Sequence, residues 1–461
     1  MTSVAIIGGG PGGYEAALVA SQLGGEVTLI DRDGLGGAAV LTDCVPSKTL
    51  IATAEVMATM ESAATLGLIG SGVRVDLAAV NRRVLGLAAA QSGDIARTLA
   101  ANGVRVINGS GRLDGTDAVI ATTAAGEERI PAHITLVATG TRPRELPDAK
   151  PDGERILTWK QVYGLTELPE HLVVVGSGVT GAEFASAYNA LGAKVTLVSS
   201  RDMVLPGQDE EAARVIQSVF VRRGVDIRAR ARANAVRAVA GGVVVTLADG
   251  EELHASHCLM AVGAVPNTEG LGLEEAGITL DGGYVKVDRV SRTSARGVYA
   301  AGDVTGVFAL ASVAAMQGRI AMWHALGDAV APLDLHRVSS NVFTSPEIAT
   351  VGVSQADVDA GSSTAVGVMV SLRGNARAKM QDITDGFVRL FCLPITGIIV
   401  GGVIVAPHAS ELIHAVALAV AERITVDQFS HDFTVYPSVS GSIAEAARRL
   451  HGHAAMTNIT V

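Results

Sequence analysis

The stretch V-A-I-I-G-G-G-P-G-G, residues 4–13, decides the fold. Its four apolar residues predict a short buried strand, and Gly8 to Gly13 fit the spacing G-x-G-x-x-G. Small residues at this spacing allow a tight turn and let the backbone and a helix N-terminus approach a pyrophosphate. A helical pattern up to Leu23, a second apolar run, Val27–Ile30, and an acid that would bind a ribose, Asp31, complete a dinucleotide-binding β-α-β unit. Its predicted binding residues are Gly8, Gly10, Pro11, Gly12, Gly13, Asp31 and Arg32.

The same pattern recurs further along the chain. An apolar run, Leu172–Val175, precedes a helical pattern through Leu191 and a second run, Val195–Val198. Between the first run and the helix stand Gly176, Gly178 and Gly181, again as G-x-G-x-x-G. Two nucleotide-binding units are therefore predicted within one chain.

The second unit lacks the ribose-binding acid of the first. At that position the chain has Ser199, followed by Ser200 and Arg201. An acid would repel a 2′-phosphate, whereas hydroxyls and a guanidinium accept one. We therefore expect NADPH to be preferred and NADH to bind more weakly. The alternative is that Arg201 is an ordinary surface charge.

Charge and apolar patterning exclude other classes of protein. The net charge of −10 offers no basic surface for nucleic acid. The longest apolar stretch, Gly397–Ala406, is too short to span a bilayer and is expected to be a buried strand. No positive segment precedes the first apolar run, so we expect no secretory signal and a cytoplasmic location.

The cysteines and histidines match no metal-site pattern. Three cysteines are too few and too scattered for a disulfide framework or a zinc cluster. His408, His414 and His431 fit no ligand spacing, so we expect no metal.

Further motifs carry a resemblance to a known family. They are A-T-G at residues 138–140, V-G-A-V-P-N at 262–267, A-G-D-V at 301–304 and N-V-F-T-S-P-E-I-A-T-V-G at 341–352. With the two glycine motifs, they resemble the two-nucleotide flavoprotein family of lipoamide dehydrogenase, glutathione reductase and mercuric reductase. The resemblance covers essentially the whole chain.

The resemblance and the element pattern predict an α/β fold with two Rossmann-like domains and a C-terminal α+β domain. A chain of 461 residues is expected to exceed one domain. The FAD domain is expected in two parts, 1–150 and 268–337, because G-V-Y-A-A-G-D at 297–303 resembles a strand that returns to the first nucleotide. The NAD(P) domain would cover 151–267. Residues 338–461 would form the dimerisation domain of a homodimer.

The resemblance also implies roles for single residues. Lys48 in C-V-P-S-K would approach flavin N5 and pair with Glu183 in G-A-E-F. A cation there is reasonable because the reduced ring gains negative charge. Asp303 would bond the ribityl chain and Gly111 would meet the adenine. Other residues expected at the cofactors are Thr139, Gly140 and Gly263, with Ala309, Leu310, Ala311 and Ser312 beneath the isoalloxazine.

The chain departs from the disulfide reductases in their catalytic relay. Those enzymes need C-x-x-x-x-C ahead of P-S-K, but here Ala39 takes the first position and only Cys44 remains. The His-Pro and Glu supplied by the partner subunit are replaced by Tyr436-Pro437 and Gly441. We therefore expect no reduction of lipoamide or glutathione disulfide. Cys44 is either a residual half-site with a thiolate against the flavin or a small buried hydrophobe, and the second interpretation is favoured.

Everything needed to reduce a flavin is retained. The sequence thus predicts an FAD-dependent NAD(P)H dehydrogenase that passes electrons directly to a quinone, with Lys48, Glu183, Cys44 and Tyr436 in its active site. Tyr436 in place of a charged residue suits a planar aromatic acceptor. The alternatives are a soluble transhydrogenase and a flavin-binding sensor without turnover, and intact Lys48 and Glu183 argue against the sensor.

Overall fold

The computed structural model describes residues 1–61, 63–69 and 72–457. Its first part contains the predicted β-α-β unit, followed by a three-stranded antiparallel meander within residues 110–131. The elements are β1 (Ser3–Ile7), α1 (Pro11–Gln22), β2 (Glu26–Asp31), α2 (Gly37–Leu41), α3 (Cys44–Glu61), α4 (Leu77–Ala101), β3 (Arg105–Asn108), β4 (Ser110–Leu113), β5 (Ala118–Thr123), β6 (Gly126–Pro131), β7 (Ile134–Val137) and β8 (Thr141–Pro143).

The second part repeats this architecture. The elements are β9 (Ile156–Leu157), β10 (His171–Val175), α5 (Val179–Ala190), β11 (Lys194–Val198), α6 (Glu210–Arg222), β12 (Asp226–Arg228), β13 (Ala233–Val239), β14 (Gly242–Leu247), β15 (Glu252–Ala255), β16 (His257–Met260) and β17 (Ala264–Pro266). The parallel sheet has the strand order β12-β11-β10-β16-β9, and β13, β14 and β15 form a separate meander.

The chain then returns to the first sheet. The third part comprises β18 (Leu280–Asp281), β19 (Tyr284–Val285), β20 (Val298–Ala300) and α7 (Ala311–Ala325). β20 pairs in parallel with β7, which completes a sheet of order β20-β7-β1-β2-β3. The returning strand predicted at residues 297–303 is therefore present.

The last part is an antiparallel sheet with helices, as the pattern predicts. The elements are β21 (Ser339–Val342), β22 (Glu347–Gly352), α8 (Gln355–Asp359), β23 (Val366–Ser371), α9 (Ala376–Met380), β24 (Phe387–Cys392), β25 (Ile399–Ala406), α10 (Ala409–Ala421), α11 (Val426–Ser430) and α12 (Gly441–Thr457). The sheet has the order β21-β22-β25-β24-β23, and the apolar stretch near residue 400 is its strand β25. A Cβ at Gly402 on this strand would lie 2.9 Å from Val416, so α10 packs closely on the sheet.

The long helix α4 is stabilised by a side-chain cap at its N-terminus and by burial of one face. The Asp76 carboxylate caps it by accepting a hydrogen bond from Ala79 N at 2.9 Å. Its buried residues, which include Leu77, Val84 and Ile95, lie on one face, while the other face meets water. Across the described residues, no helix combines the length and apolar character needed to cross a membrane.

Both nucleotide units depend on backbone contacts that only glycine allows. A Cβ at Gly13 would lie 1.8 Å from Gly8 O, and one at Gly181 would lie 1.8 Å from Gly176 O. Gly8 and Gly176 also adopt φ values of 106° and 110°. The helices α1 and α5 therefore begin directly against the loops that follow β1 and β10.

A buried ion pair joins the second part of the chain to the C-terminal sheet. Arg389 Nη1 on β24 lies 2.7 Å from Asp209 Oδ2, and the two side chains are 13% and 2% exposed. The other carboxylate oxygen of Asp209 caps α6 by accepting from Ala212 N at 3.0 Å. Asp209 thus stabilises a helix and a domain contact at once.

We expect Asp209→Asn to lower the free energy of unfolding by about 3 kcal/mol, because it leaves a largely buried guanidinium unpaired. Asp209→Ala, which also removes the cap, should cost about 1 kcal/mol more. Urea denaturation of the FAD-loaded protein measures both. Glu210→Gln on the same helix is the control, since Glu210 pairs with Arg214 at the surface. An equal loss in the control would contradict the assignment.

Candidate active site

The first glycine loop presents backbone to an anion. α1 begins at Pro11, its N-cap is Gly10, and no side chain among the described residues caps it. A Cβ at Gly37 would lie 2.8 Å from Gly10 Cα, so a second glycine segment lies against the loop. Gly12 is itself covered by α7, because a Cβ at Gly318 would lie 2.1 Å from Gly12 O. A helix N-terminus without a side-chain cap among the described residues fits a pyrophosphate.

Asp31 is held at the edge of this loop. Its Oδ2 accepts a hydrogen bond from Gly9 N at 2.6 Å, and its Oδ1 accepts from Gly34 N at 2.5 Å. The carboxylate is thereby fixed at the carboxyl end of β2, where a ribose hydroxyl would approach. Arg32 is exposed and pairs with Asp33 at 3.2 Å.

Ser199 takes the place in the second unit that Asp31 takes in the first. Gly8 N donates to Ile30 O, just before Asp31, and Gly176 N donates to Val198 O, just before Ser199. Asp31 and Ser199 therefore occupy equivalent positions in the two units. The Ser199 side chain is buried, and its hydroxyl lies 2.7 Å from Ser177 Oγ and accepts from Arg201 N at 3.1 Å. Its hydroxyl is therefore not available to a phosphate, which corrects that part of the sequence interpretation. Ser200 and Arg201 are exposed beyond the end of β11.

The Lys48–Glu183 ion pair predicted from the resemblance is present. Lys48 Nζ on α3 lies 2.8 Å from Glu183 Oε2 on α5, and the Glu183 side chain is only 4% exposed. Burial would lower the pKa of Lys48, but the Glu183 carboxylate outweighs it and raises that pKa. The ammonium therefore stays charged. The other carboxylate oxygen of Glu183 accepts from Phe343 N at 2.9 Å, and Lys48 Nζ lies 4.8 Å from the centre of the Phe343 ring.

Cys44 is the first residue of α3, and Ala39 lies on α2. Burial, followed by the charge of Asp43, raises the pKa of the Cys44 thiol to about 12. A helix N-terminus usually favours a thiolate, so burial and the neighbouring acid override that effect here. Cys258 on β16 and Cys392 on β24 are both buried, and neither can replace the missing partner of Cys44.

Asp303 and the start of α7 lie at the carboxyl end of β20. Asp303 Oδ2 accepts a hydrogen bond from Thr141 Oγ1 at 3.2 Å, and burial raises the pKa of Asp303. α7 begins at Ala311 after Leu310, again without a side-chain cap among the described residues. Ala309 and Ser312 flank this start and are exposed. The uncapped N–H groups suit an acceptor that carries partial negative charge.

Residues of the remaining motifs form hydrogen bonds between the segments 139–144 and 263–267. Thr139 Oγ1 donates to Asn267 O at 2.7 Å, and Asn267 Nδ2 returns a bond to Thr139 O at 2.9 Å. Asn267 N donates to Gly140 O, and Arg144 N donates to Gly263 O. Gly111 on β4 lies against β1, since a Cβ there would be 3.0 Å from Ile7.

Tyr436 precedes the last helix of the C-terminal domain. Its side chain is 85% exposed on the C-terminal domain, shortly before Gly441 begins α12. Among the residues that the structure describes, no cluster of His, Cys, Asp and Glu could hold a metal.

Sequence reasoning missed Asp43. This carboxyl lies among Lys48, Glu183 and Asp303, and burial raises its pKa to about 6. The available signal was an aspartate just before a helix whose third residue is proline, which removes one of the two N–H groups that usually form the capping bond.

The chain matches two protein-family models. The pyridine nucleotide-disulphide oxidoreductase model matches residues 2–318, and the dimerisation domain of that family matches residues 338–447. Over 466 residues the chain is 54% identical to "NAD(P)H dehydrogenase (quinone)" of Mycobacterium tuberculosis (strain ATCC 25618 / H37Rv), covering 98% of this chain and 94% of that protein. It is 34% identical over 451 residues to dihydrolipoyl dehydrogenase of Chlorobaculum tepidum, covering 96% of each.

A solved structure gives the same result. The crystal structure of LpdA from Mycobacterium tuberculosis superposes with a TM-score of 0.94 at 54% identity, covering 98% of this chain and 100% of that one. The fold class and the resemblance inferred from the motifs are confirmed. The family uses FAD and a pyridine nucleotide. By matched family models, sequence identity and fold, this chain belongs to the pyridine nucleotide-disulphide oxidoreductase family.

Proposed function

We propose that this protein is an FAD-dependent NAD(P)H dehydrogenase that reduces a quinone-type acceptor directly from the flavin. One observation carries the proposal: the Lys48–Glu183 pair is intact, while Ala39 stands where the relay needs its first cysteine. The name of the 54% identical relative, NAD(P)H dehydrogenase (quinone), supports the same class of acceptor.

FAD would lie between the two parts predicted at 1–150 and 268–337, where it supplies the ring that takes up and passes on hydride. The glycine loop would bind its pyrophosphate and Asp31 its ribose. Asp303, already bonded to Thr141, would bind the ribityl chain. Lys48, held by Glu183, would offset the negative charge that develops on the ring.

The nicotinamide nucleotide would bind the unit at residues 151–267. Its pyrophosphate would meet the N-terminus of α5, which begins after Gly178 without a side-chain cap among the described residues. Ser200 and Arg201 would face the 2′-phosphate. Ser199 would act indirectly, since its bonds to Ser177 and Arg201 fix the shape of the loop.

The acceptor would take its electrons without help from a thiolate. The raised pKa of Cys44 keeps the thiol protonated at neutral pH, and a neutral thiol is a poor nucleophile. The acceptor site would include the partner subunit in a homodimer formed by the dimerisation domain. Exposed apolar side chains mark the segment that would reach across: Phe433, Val435 and Tyr436 are 99%, 78% and 85% exposed.

The FAD-loaded protein is expected to oxidise NADPH with a benzoquinone and to be inactive with dihydrolipoamide and oxidised glutathione, because Ala39, Tyr436 and Gly441 remove the relay. Anaerobic NADPH should bleach the flavin absorbance, and quinone should restore it. Disulfide turnover near the quinone rate would contradict the proposal. NADPH-dependent reduction of NAD faster than that of quinone would favour a transhydrogenase, and absence of bleaching would favour a sensor.

Cys44→Ser should leave quinone reduction largely unchanged, because the route needs no sulfur. Stopped-flow reoxidation of the reduced enzyme by benzoquinone measures this step by itself. Ala39→Cys is the companion variant and should not create disulfide reductase activity, since no base is restored. Loss of quinone reduction in Cys44→Ser with FAD still bound would return the thiol to the mechanism.

NADPH should be preferred over NADH, and Arg201→Ala should lower kcat/KM for NADPH about tenfold, the lower end for a charge-assisted phosphate contact at an exposed site. Adding Ser199→Asp, which copies Asp31, should shift the preference toward NADH. Steady-state kinetics at fixed ionic strength measure both. Lys194→Ala, at the opposite end of β11, is the control. An unchanged NADPH to NADH ratio in Arg201→Ala would show that Arg201 is only a surface charge.

A further inference from the structure

The segment that follows β12 lies beside the loop that follows β11. Ser199 N donates to Arg228 O at 2.9 Å, and Ala231 N donates to Ser199 O at 2.8 Å. One residue further along the loop, Arg230 N donates to Arg201 O at 3.0 Å. These bonds continue the parallel pairing of β11 with β12 beyond the ends of both strands. The two segments therefore share the carboxyl edge of the sheet, where the proposed function places the 2′-phosphate.

The backbone of Arg230 has a conformation that arginine rarely adopts. Its φ is 54°, in the left-handed region that favours glycine and is unfavourable for a residue with a Cβ. The hydrogen bond from Arg230 N to Arg201 O holds the chain in this turn. A strained backbone that carries a long charged side chain at the edge of a ligand site indicates a role for that side chain.

Arg230 is paired with an acid that a phosphate can displace. Arg230 Nε lies 3.5 Å from Asp202 Oδ1, and the two side chains are 82% and 80% exposed. An ion pair in contact with water at this distance contributes little free energy. A phosphate monoester carries more negative charge than a carboxylate and offers three acceptor oxygens to the fork of N–H donors on a guanidinium. Arg230 can therefore exchange one partner for the other at low cost.

The neighbouring Arg228 is held more firmly. Its Nε lies 2.9 Å from Asp226 Oδ2, and its Nη1 lies 3.1 Å from Glu251 Oε1. The same oxygen of Asp226 accepts from Thr196 Oγ1 at 3.4 Å, so the acid is itself fixed within the sheet. Two carboxylates thus bind the guanidinium of Arg228. Arg230 is therefore better placed than Arg228 to act on a ligand together with Arg201.

We propose that Arg230 is a second cation for the 2′-phosphate of NADPH and that Asp202 opposes this contact. The proposal rests on the proposed function, which places the nicotinamide nucleotide at residues 151–267. On binding, the Arg230 guanidinium exchanges the Asp202 carboxylate for phosphate oxygens. Asp202 is then left beside the phosphate as an unpaired like charge, which weakens binding. NADH has a hydroxyl at that place and leaves the ion pair intact, so Asp202 limits the preference for NADPH.

The two members of this ion pair should therefore act on the phosphate with opposite signs. Removing the charge of Arg230 takes a cation from the phosphate, whereas removing the charge of Asp202 takes away both a competitor for Arg230 and a repelling anion. An ion pair that only stabilised the loop would behave differently. Loss of either side chain would then break the same contact, and both nucleotides would bind more weakly.

The test is calorimetric titration of the oxidised, FAD-loaded protein with NADP⁺ and with NAD⁺, at fixed ionic strength and without quinone. Arg230→Ala should weaken NADP⁺ binding about tenfold. Asp202→Asn should strengthen it about threefold, and NAD⁺ binding should change less than about twofold in both variants. Arg230→Lys should keep part of the affinity, because the charge remains but the fork of donors is lost. Arg232→Ala, at an exposed arginine two residues further along, is the control and should match wild type.

Equal weakening of NADP⁺ and NAD⁺ in Arg230→Ala, or weaker NADP⁺ binding in Asp202→Asn, would overturn the proposal. Absence of NADP⁺ binding by wild type would overturn it as well. If Arg230→Ala does not load FAD, Arg230→Lys and Asp202→Asn decide by the same signs. Unchanged NADP⁺ binding in Arg201→Ala, beside the expected shifts in the other variants, would refute the phosphate contact of Arg201 and leave this proposal standing. Absence of quinone turnover in wild type would refute the proposed function without affecting the binding measurement.

Discussion

Glu183 is the side chain on which the arrangement of this molecule depends. It projects from α5 in the second nucleotide unit, binds Lys48 on α3 of the first unit through one oxygen, and accepts from Phe343 N next to β21 through the other. A carboxylate this deeply buried is costly unless both oxygens are paired. Because its partners come from two other parts of the chain, the pairing that makes the charge tolerable also fixes how the three parts meet. The same pairing keeps a positive charge beside the expected flavin.

The loss of the disulfide relay and the retention of this ion pair together define the chemistry. Ala39 and the raised pKa of the Cys44 thiol argue against a thiol relay, whereas the Lys48–Glu183 ion pair is intact. A quinone accepts electrons without a thiol, but it still needs protons. The carboxyl of Asp43 lies beside Cys44, within the group of charges around Lys48.

Much of the fold could be predicted from local sequence, because the glycine motifs follow strict steric rules. The contacts at Gly13 and Gly181 leave no room for a Cβ, so the spacing in the sequence reports the packing directly. The return of β20 to the first sheet was predicted from resemblance and not from periodicity, since a three-residue strand carries little pattern of its own. The ion pair between Asp209 and Arg389 could not be predicted from local sequence, because the two residues are far apart in the chain.

By itself, the sequence determined the two nucleotide units, because these depend on residue type at fixed spacing. The absent relay and the pairing of Lys48 with Glu183 were implied by the resemblance of its motifs to a known family. Only the tertiary structure decided which of the candidate side chains are available. Ser199 is a residue type that can bind a phosphate, but its side chain is buried and its hydroxyl is already bonded to Ser177. Asp43 stands where a helix cap is expected, but burial raises the pKa of its carboxyl to about 6, and Glu183 and Asp303 from other parts of the chain add to that rise. Both outcomes depend on burial and on partners distant in sequence, which set the free energy of a polar group and are not contained in any local pattern.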